Sequence, residues 1–278
     1  LVTGNKGFVG GETQKLLQEK GHQIIGYDLM ECWDIRDITQ LDNVVKMSAP
    51  ERFLHLAAIA RFADADKNPQ LAHETNVEGT MNVATIAKKY HIPLVYASTG
   101  SVYMPIKGTP PITEDFEAKG NSVYGCTKYI GELYVKKVNP HIILRYAHLY
   151  GKEKRHHGLI GGFLERIERG LAPTLYGGKQ SNDFTYVKDV AVANYLACTA
   201  SWDKWNQTYN VGTGEELSAY EAGQIVCKFA GYKGKIEEKE MRSVDPVRFV
   251  FDCSKAERLL GFKADYLFKK GLEDMFSK

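Results

Sequence analysis

Tyr124 and Lys128 are the residues of this 278-residue chain whose types and spacing most directly suggest chemistry. They lie four positions apart, so on a helix both side chains project from one face, one turn apart. A free tyrosine has a pKa of about 10 and is a poor base at neutral pH, but a fixed ammonium beside it lowers that pKa. The pair could then exchange a proton with a substrate hydroxyl. Because the same spacing is common on solvated helix faces, the pair needs support from other segments.

A glycine-rich loop near the start of the chain gives the first support. Residues 1–3 are typical of the end of a strand, three glycines follow at Gly-x-x-Gly-x-x-Gly spacing, and a helix is predicted over residues 12–20. A second short strand, 23–28, closes on Asp28. This order is that of a dinucleotide-binding unit, in which glycines and a helix N-terminus hold the pyrophosphate and the acid holds a ribose. An ordinary glycine turn is the alternative for the loop alone.

Strands and helices alternate beyond this unit. We expect strands at 52–58, 94–99 and 142–145, and helices at 39–47, 68–90 and 124–137. This alternation predicts an α/β fold with a doubly wound parallel sheet, whose ligands bind at the carboxyl ends of the strands. The residues at or just beyond such ends are Gly4, Asp28, Ala58, Thr99 and Tyr146. The usual helix after the second strand is expected to be short or absent.

The composition is that of an ordinary globular protein, with 44% hydrophobic and 25% charged residues. A net charge of +2 gives no reason to expect nucleic acid or an acidic membrane as a partner. The five cysteines are scattered, which predicts no metal site, no disulfide framework and a reducing cytoplasm. No apolar run is long enough to span a bilayer. The abrupt start at Leu1 leads us to expect that part of the first strand lies upstream.

In their order, these and further motifs resemble the extended short-chain dehydrogenases/reductases, in the branch of nucleotide-sugar epimerases and dehydratases and in particular the UDP-sugar 4-epimerases. The motifs that carry the resemblance are Thr3-Gly4-x-x-Gly7-Phe-Val-Gly10, Asp28, Asp34-Ile35, His55-Leu-Ala-Ala58, Asn76-Val-x-Gly-Thr80, Ser98-Thr99 with Val102-Tyr103, Tyr124-x-x-x-Lys128, Leu144-Arg145 with Tyr150-Gly151, Asp183-Phe-Thr-Tyr-Val, Tyr209-Asn-Val-Gly212 and Asp252-x-Ser-Lys255. The resemblance implies a Rossmann-type domain in residues 1–150 and about 182–213, and a smaller C-terminal α/β substrate domain in about 151–181 and 214–278.

The resemblance also implies a role for each matched residue. Thr99, Tyr124 and Lys128 would be catalytic, with Thr99 and Tyr124 bonded to the same substrate oxygen. The implied NAD-binding residues are Gly4, Gly7, Phe8, Val9, Gly10, Asp28, Asp34, Ile35, Leu56, Ala57, Ala58, Asn76, Ala97, Ser98, Tyr124, Lys128 and Tyr146. The implied substrate-binding residues are Thr99, Tyr124, His148, Tyr176, Asn182 and Arg242.

Departures from the family pattern narrow the expected reaction. The sugar dehydratases place an Asp-Glu pair directly after the catalytic Thr, and the decarboxylating branch has a Glu there, whereas this chain has Gly100 and Ser101. Small residues at these two positions resemble those of the 4-epimerases, whose reaction needs no further acid or base. We therefore expect an NAD-dependent epimerase acting on a nucleotide-diphosphate sugar, at C4, through a keto-sugar.

The substrate side departs further. Asn182 stands where the family commonly has Arg, His148 where it has Asn, and Lys188 where it has Asp. His148 could contact a phosphate or sugar hydroxyl or could simply pack in a loop. Arg242 matches a diphosphate-binding arginine. Because Asn182 replaces the family's arginine, one of two cations that would contact the diphosphate is missing. Either the nucleotide sugar binds more weakly or another residue compensates, and the candidates are Lys179, Arg155 and Arg248.

The choice of redox cofactor is contested by two residues. Asp28 would repel a ribose 2′-phosphate and argues for NAD. Lys6, inside the glycine loop, argues for NADP, as in some keto-sugar reductases of the family, which also tend to have a short crossover after the second strand. An NADPH-dependent reductase is therefore the second hypothesis, and a weakly active cofactor-binding sensor or scaffold is the third.

A homodimer is expected from the resemblance, through a bundle of the helices at 68–90 and 124–137. Ala84, Ala87, Ile130 and Leu133 could supply the apolar contacts. Their spacing is equally consistent with burial against the sheet of one monomer.

Overall fold

The computed structural model describes residues 1–104, 106, 110–152, 158–241 and 246–277. In these ranges the strands are β1 (Val2–Thr3), β2 (Gly26–Tyr27), β3 (Phe53–His55), β4 (Leu94–Thr99), β5 (His141–Tyr146), β6 (His148–Tyr150), β7 (Thr174–Tyr176), β8 (Ser181–Asn182), β9 (Phe184–Tyr186), β10 (Gln207–Val211), β11 (Leu217–Ser218), β12 (Glu237–Lys239) and β13 (Arg248–Phe249). The α-helices there are α1 (Phe8–Glu19), α2 (Ile38–Ser48), α3 (Phe62–Lys67), α4 (Pro69–His73), α5 (Gly79–Lys89), α6 (Val123–Val135), α7 (Leu159–Glu168), α8 (Val187–Thr199), α9 (Ala219–Phe229), α10 (Ser254–Leu260) and α11 (Phe268–Phe276).

Six strands form one sheet in the order β10-β5-β4-β3-β1-β2, and each neighbouring pair is parallel. The strand order reverses between β1 and β3, because β2 lies on one side of β1 and β3, β4, β5 and β10 follow on the other, as in doubly wound sheets. The predicted fold class is confirmed. The carboxyl ends of β1, β3, β4 and β5 therefore meet at one edge.

Apolar side chains cover both faces of this sheet. Leu54, Val95 and Leu144 pack with α1 and α8 on one face. Phe53, Leu94 and Ile143 pack with α2 and α5 on the other. Successive residues of a strand point to opposite faces, so runs of apolar residues are required here instead of an alternating pattern.

A single 3₁₀ turn, Leu29–Glu31, follows β2 in place of a helix. The Asp28 carboxylate accepts from Met30 N at its start, and Cys32 ends it with a φ of 64°. The short crossover expected from the sequence is confirmed. The helix predicted at 68–90 is also present, but its middle, Glu74–Glu78, is a π-helical turn that the sequence pattern did not reveal.

The remaining strands form three small sheets, β11-β8-β13, β12-β7 and β6-β9. Ser218 and Glu221 form a capping box at the start of α9. None of the described helices is long and apolar enough to cross a membrane.

Two of the residues expected at a dimer contact lie inside the monomer. Ala84 and Ala87 are 5% and 0% exposed and pack in the core between α5 and the sheet. Their apolar spacing reflects burial against the sheet. Leu133, by contrast, is 44% exposed. The neighbouring Tyr134 and Met81 on α5 are each 37% exposed.

Candidate active site

The glycine loop joins β1 to α1 at the carboxyl edge of the sheet. Gly4 has a φ of 70°, and a Cβ placed on it would lie 2.7 Å from Ala57 N, so a side chain is excluded by both conformation and space. A Cβ on Gly10, in the first turn of α1, would collide with Gly4 O. No side chain caps the N-terminus of α1. The loop therefore presents main chain and a helix N-terminus at close range, as an anion site requires.

Asp28 stands at the end of β2, beside this loop. Its carboxylate accepts from Lys6 N at 3.0 Å and from Met30 N at 2.9 Å. An ionised carboxylate offers about four acceptor positions, so it keeps capacity for ribose hydroxyls. The fixed position of Asp28 next to the loop fits the predicted ribose contact.

Asp34 and Ile35 follow the 3₁₀ turn. The Asp34 carboxylate is paired with Arg36, whose Nη2 lies 2.6 Å from Oδ2, and this hydrogen-bonded pair holds the pKa of Asp34 below its usual range. Arg36 also contacts Glu74 at 3.2 Å. Ile35 is 5% exposed and packs on Gly79. The Ile35 side chain thus has a packing role, and its backbone carbonyl accepts from Asn82 Nδ2 at 3.2 Å.

Small residues line the edge after β3. Leu56, Ala57 and Ala58 are each partly exposed, which leaves room beside the backbone. Next to them, Asn76 on the π-helical turn is fully buried, accepts from Ile59 N at 2.8 Å and donates to Ile59 O and Thr127 Oγ1. The polar atoms of Asn76 are thus engaged within the protein, and its position makes it a link between this loop and α6.

Helix α6 carries Tyr124, with Ser122 as N-cap. A Cβ on Gly125, the residue after Tyr124, would lie 2.8 Å from Ser101 O, so the start of α6 packs against the segment that follows Thr99 and β4. The Phe62 ring contacts the Tyr124 ring edge-on at 5.3 Å. Tyr124 and Thr99, which the sequence placed on separate elements, therefore lie on neighbouring parts of one site, and their contact with one substrate oxygen stays a prediction.

Burial raises the pKa of Tyr124 to about 12, and the Thr99 side chain opposes this rise only in part. The sequence-based expectation was the reverse, a pKa lowered by the neighbouring ammonium. It is wrong for this structure because desolvation disfavours the phenolate. The ammonium of Lys128 lies instead over the Tyr96 ring, 4.0 Å from its centroid.

Lys128 is 2% exposed. Burial lowers its pKa from 10.5 to about 7, and the charge of Glu132 acts in the opposite direction. A lysine with such a pKa is partly deprotonated at neutral pH, in the range where a proton-transfer group operates.

Glu132 lies one turn beyond Lys128 on the same helix face and is fully buried. Its carboxylate accepts from Arg145 Nη2 at 2.6 Å and Nε at 2.9 Å, and from Ser98 Oγ at 2.6 Å. Ser98 precedes Thr99 in β4. These bonds tie the helix that carries Tyr124 to the strand that carries Thr99.

Three predicted cofactor contacts therefore have side chains turned into the protein. Ser98 bonds to Glu132, Asn76 bonds to Ile59 and Thr127, and the Tyr146 hydroxyl donates to Asn194 Oδ1 at 2.6 Å. Ala97, 8% exposed, packs in the core beside them. The side chains of Asn76, Ser98 and Tyr146 thus bond to neighbours within the protein, and the contacts of these residues with a cofactor stay predictions.

The space beside Gly100 is closed by aromatic rings. A Cβ on Gly100 would collide with the Phe249 ring and lie 2.6 Å from the Phe251 ring. Ser101 is 9% exposed and its Oγ accepts from Thr99 Oγ1 at 3.2 Å. A carboxylate side chain at position 100 is therefore excluded by packing as well as by residue type.

His148 is brought to this side of the site through Phe249, whose ring lies 4.8 Å from the His148 ring. Asn182 is the register partner of Phe249 between β8 and β13. Tyr176, 40% exposed, lies on the separate β7-β12 sheet, with Lys239 over its ring at 6.0 Å. The structure thus clusters His148 and Asn182 but not Tyr176.

The cations predicted on the substrate side lie in different surroundings. Arg242 and Arg155 lie outside the described residues. Arg248 forms a two-point pair with Glu216, at 2.7 Å and 2.8 Å. Lys188 pairs with Asp274 at 2.7 Å, and Lys179 is exposed. Of the proposed compensating cations, Arg248 is thus already engaged by a carboxylate.

Sequence reasoning missed Glu132, Tyr96, Phe249 and Glu31. Glu132 carried a signal, because it continues the four-residue spacing of Tyr124 and Lys128 along one helix face. The other three come into place through tertiary packing, which no local pattern encodes. In the described residues no cluster of His, Cys, Asp and Glu could hold a metal ion.

The sequence matches the model of the NAD dependent epimerase/dehydratase family over residues 1–212. The chain belongs to this family. A putative UDP-glucose 4-epimerase of Methanocaldococcus jannaschii is 32% identical, over 98% of this chain and 95% of its own length.

Solved structures of the family agree with this assignment. The UDP-glucose 4-epimerase of Thermotoga maritima, crystallised with UDP-glucose, superposes with a TM-score of 0.91 at 26% identity, over 99% of this chain and 96% of that one. The UDP-glucose 4-epimerase of Thermus thermophilus in complex with NAD gives 0.88 at 27% identity, over 99% and 97%. The uncapped α1, the glycine loop and Asp28 are the features of this family member that fit NAD.

Proposed function

We propose that this family member is an NAD-dependent epimerase of a nucleotide-diphosphate sugar, acting at C4 through a keto-sugar. The observation that carries the proposal is the packing of the start of α6, which carries Tyr124, against the segment after Thr99, in a site whose next position, Gly100, is closed by Phe249 and Phe251. Such a site can exchange one proton with one hydroxyl. It has no room for the extra carboxylate that water elimination would need.

The chain's own residues have three tasks in this reaction. Thr99 and Tyr124 would bind the sugar hydroxyl that is oxidised. The proton that this hydroxyl loses would pass to the phenolate form of Tyr124 and would return when the keto group is reduced. Lys128, with its pKa near 7, supplies a nearby group that changes charge at neutral pH. When bound, NAD would accept the hydride and return it to the opposite face of the keto-sugar, which would give the epimer.

Cofactor and substrate roles follow the same proposal. Gly4, Gly7, Phe8, Val9 and Gly10 would hold the pyrophosphate, and Asp28 the ribose. Asp34 and Ile35 would flank the adenine. His148, Asn182, Tyr176 and Arg242 would bind the nucleotide sugar, with Phe249 beside His148 and Gly100.

The activity test is conversion of UDP-, GDP- and dTDP-sugars without added cofactor, followed by chromatographic detection of the epimer. Tyr124→Phe should abolish conversion while leaving bound dinucleotide in place. Tyr220→Phe, at an exposed tyrosine of α9, is the matched control and should keep full activity. No epimer from any sugar would count against the proposal, and full activity in Tyr124→Phe would favour a sensor or scaffold.

We also propose the domain division, location and assembly that the sequence predicted. Residues 1–150 with about 182–213 would form the NAD domain, supported by the pairing of β10 with β5 and the packing of α8 on α1. A reducing cytoplasm is supported by five free cysteines. A homodimer through α5 and α6 is supported by the exposed Leu133, Tyr134 and Met81, and light scattering tests it.

A further inference from the structure

Lys6, Asp28 and Glu31 form a charged cluster beside the glycine loop. Lys6 lies in the loop between Gly4 and Gly7, and its backbone N–H donates to the Asp28 carboxylate at 3.0 Å. Its ammonium extends to Glu31, with 2.9 Å between Nζ and Oε1. Both of these side chains are partly exposed, at 41% and 38%. The cluster thus holds two carboxylates and one ammonium next to the expected ribose contact.

The 3₁₀ turn after β2 brings Glu31 to this position. Glu31 N donates to Asp28 O at 2.9 Å, and Trp33 N donates to the same oxygen at 3.1 Å. With the Asp28 carboxylate accepting from Met30 N, the turn is fixed to the end of β2. A one-turn crossover therefore places a carboxylate three residues after Asp28 against the loop lysine.

The charge balance of this cluster favours a ribose without a 2′-phosphate. A lysine in the glycine loop could by itself bind such a phosphate as a point charge. The Glu31 carboxylate forms an ion pair with that ammonium and adds a second negative charge beside Asp28. An incoming phosphate would have to displace the Glu31 carboxylate and would face two carboxylates.

We propose that Glu31 is a cofactor-specificity residue, which selects NAD over NADP by holding Lys6 in an ion pair. This inference rests on the proposed cofactor of the site. It assigns the discrimination between NAD and NADP to the Lys6–Glu31 pair, in addition to Asp28. The family resemblance associated a short crossover with NADPH-dependent reductases. In this chain the short crossover instead supplies the Glu31 carboxylate, which disfavours NADP.

The test compares wild type with Glu31→Gln, Lys6→Ala and the double variant. Each protein is freed of dinucleotide, and the dissociation constants for NADH and NADPH are measured by fluorescence titration at low ionic strength. The dinucleotides retained on purification are identified in parallel by mass spectrometry. Glu257→Gln, which breaks an exposed pair with Lys263 away from the loop, is the control with the same change in net charge.

Glu31→Gln should improve NADPH binding relative to NADH roughly two- to fivefold, the effect of one exposed ion pair. Glu257→Gln should leave the ratio unchanged. Asp28 still opposes the phosphate, so NADH should remain preferred. Adding Lys6→Ala should remove the gain, because the released ammonium is the group that binds the phosphate.

A ratio that changes less than about twofold in Glu31→Gln would overturn the inference, given the size expected of an exposed pair. So would a gain that persists in the double variant, which would point to another cation, such as Lys152 beside Gly7. Wild-type protein that retains NAD but converts no sugar would refute the proposed reaction and leave this inference standing. Protein that binds neither dinucleotide would refute both.

Discussion

Replacing Lys128 by methionine should stabilise the protein at neutral pH while removing activity. Methionine has a similar length and no charge, so it fills the site beside the Tyr96 ring without requiring hydration. In the folded protein burial lowers the pKa of Lys128 to about 7, against 10.5 for an ordinary lysine. The buried ammonium is thus a cost to folding that the variant lacks.

The sign and size of the effect follow from proton linkage. Between pH 7 and 10.5 the unfolded chain binds the Lys128 proton and the folded protein does not, so wild-type stability rises with pH across this window. Below pH 7 both states are charged and the full cost applies. The expected advantage of Lys128→Met in free energy of unfolding is about 4 kcal/mol at pH 7 and about 1.5 kcal/mol at about pH 9.5.

The assay is urea unfolding of both proteins, freed of dinucleotide, at the two pH values. Other titrating groups are shared, so they cancel in the difference. Lys15→Met, at an exposed lysine of α1, is the control and should change stability by no more than about 0.5 kcal/mol at either pH. An advantage of Lys128→Met that is absent at pH 7, or that does not shrink as the pH rises, would refute the reasoning.

Three other predictions test the surroundings of this lysine. Ser98→Ala removes a buried hydrogen bond to Glu132 and should lower the free energy of unfolding in urea by about 1–3 kcal/mol. The variant should have a reduced kcat but should retain as much dinucleotide as wild type. Loss of the dinucleotide would instead assign Ser98 to cofactor binding. Arg145→Met leaves the Glu132 charge buried and should cost about 3–5 kcal/mol, which Glu132→Gln in the same chain should largely restore. Gly100→Ala should lower stability by about 1–3 kcal/mol because its methyl group meets Phe249, and Phe249→Leu should recover part of it; a neutral Gly100→Ala would show that the rings move aside.

The sheet and the glycine loop could be predicted from the sequence because their signals are local. Gly4, Gly7 and Gly10 follow a short strand at fixed spacing, and β4 and β5 contain apolar runs, so the parallel sheet and the edge where ligands bind followed from general rules. The boundaries shifted: α1 begins at Phe8, within the loop, instead of residue 12. This shift puts Gly10 in the first turn of the helix.

The protonation of the site could not be predicted, because burial determines it. A helical spacing of four residues correctly placed Tyr124 and Lys128 on one helix, but it could not show that both are desolvated. Nor could it show that the ammonium faces the Tyr96 ring. The same holds for Ala84 and Ala87, whose apolar pattern fitted two environments until the fold selected one.

The π-helical turn at Glu74–Glu78 has a mechanical consequence. It carries Asn76, whose single side chain bonds to both backbone polar groups of Ile59 and to Thr127, the residue before Lys128. The loop after β3 and the helix α6 are thereby held at a fixed separation by one rigid amide. A displacement of the loop after β3 should therefore also displace the part of α6 that carries Lys128, because Asn76 bonds to both segments.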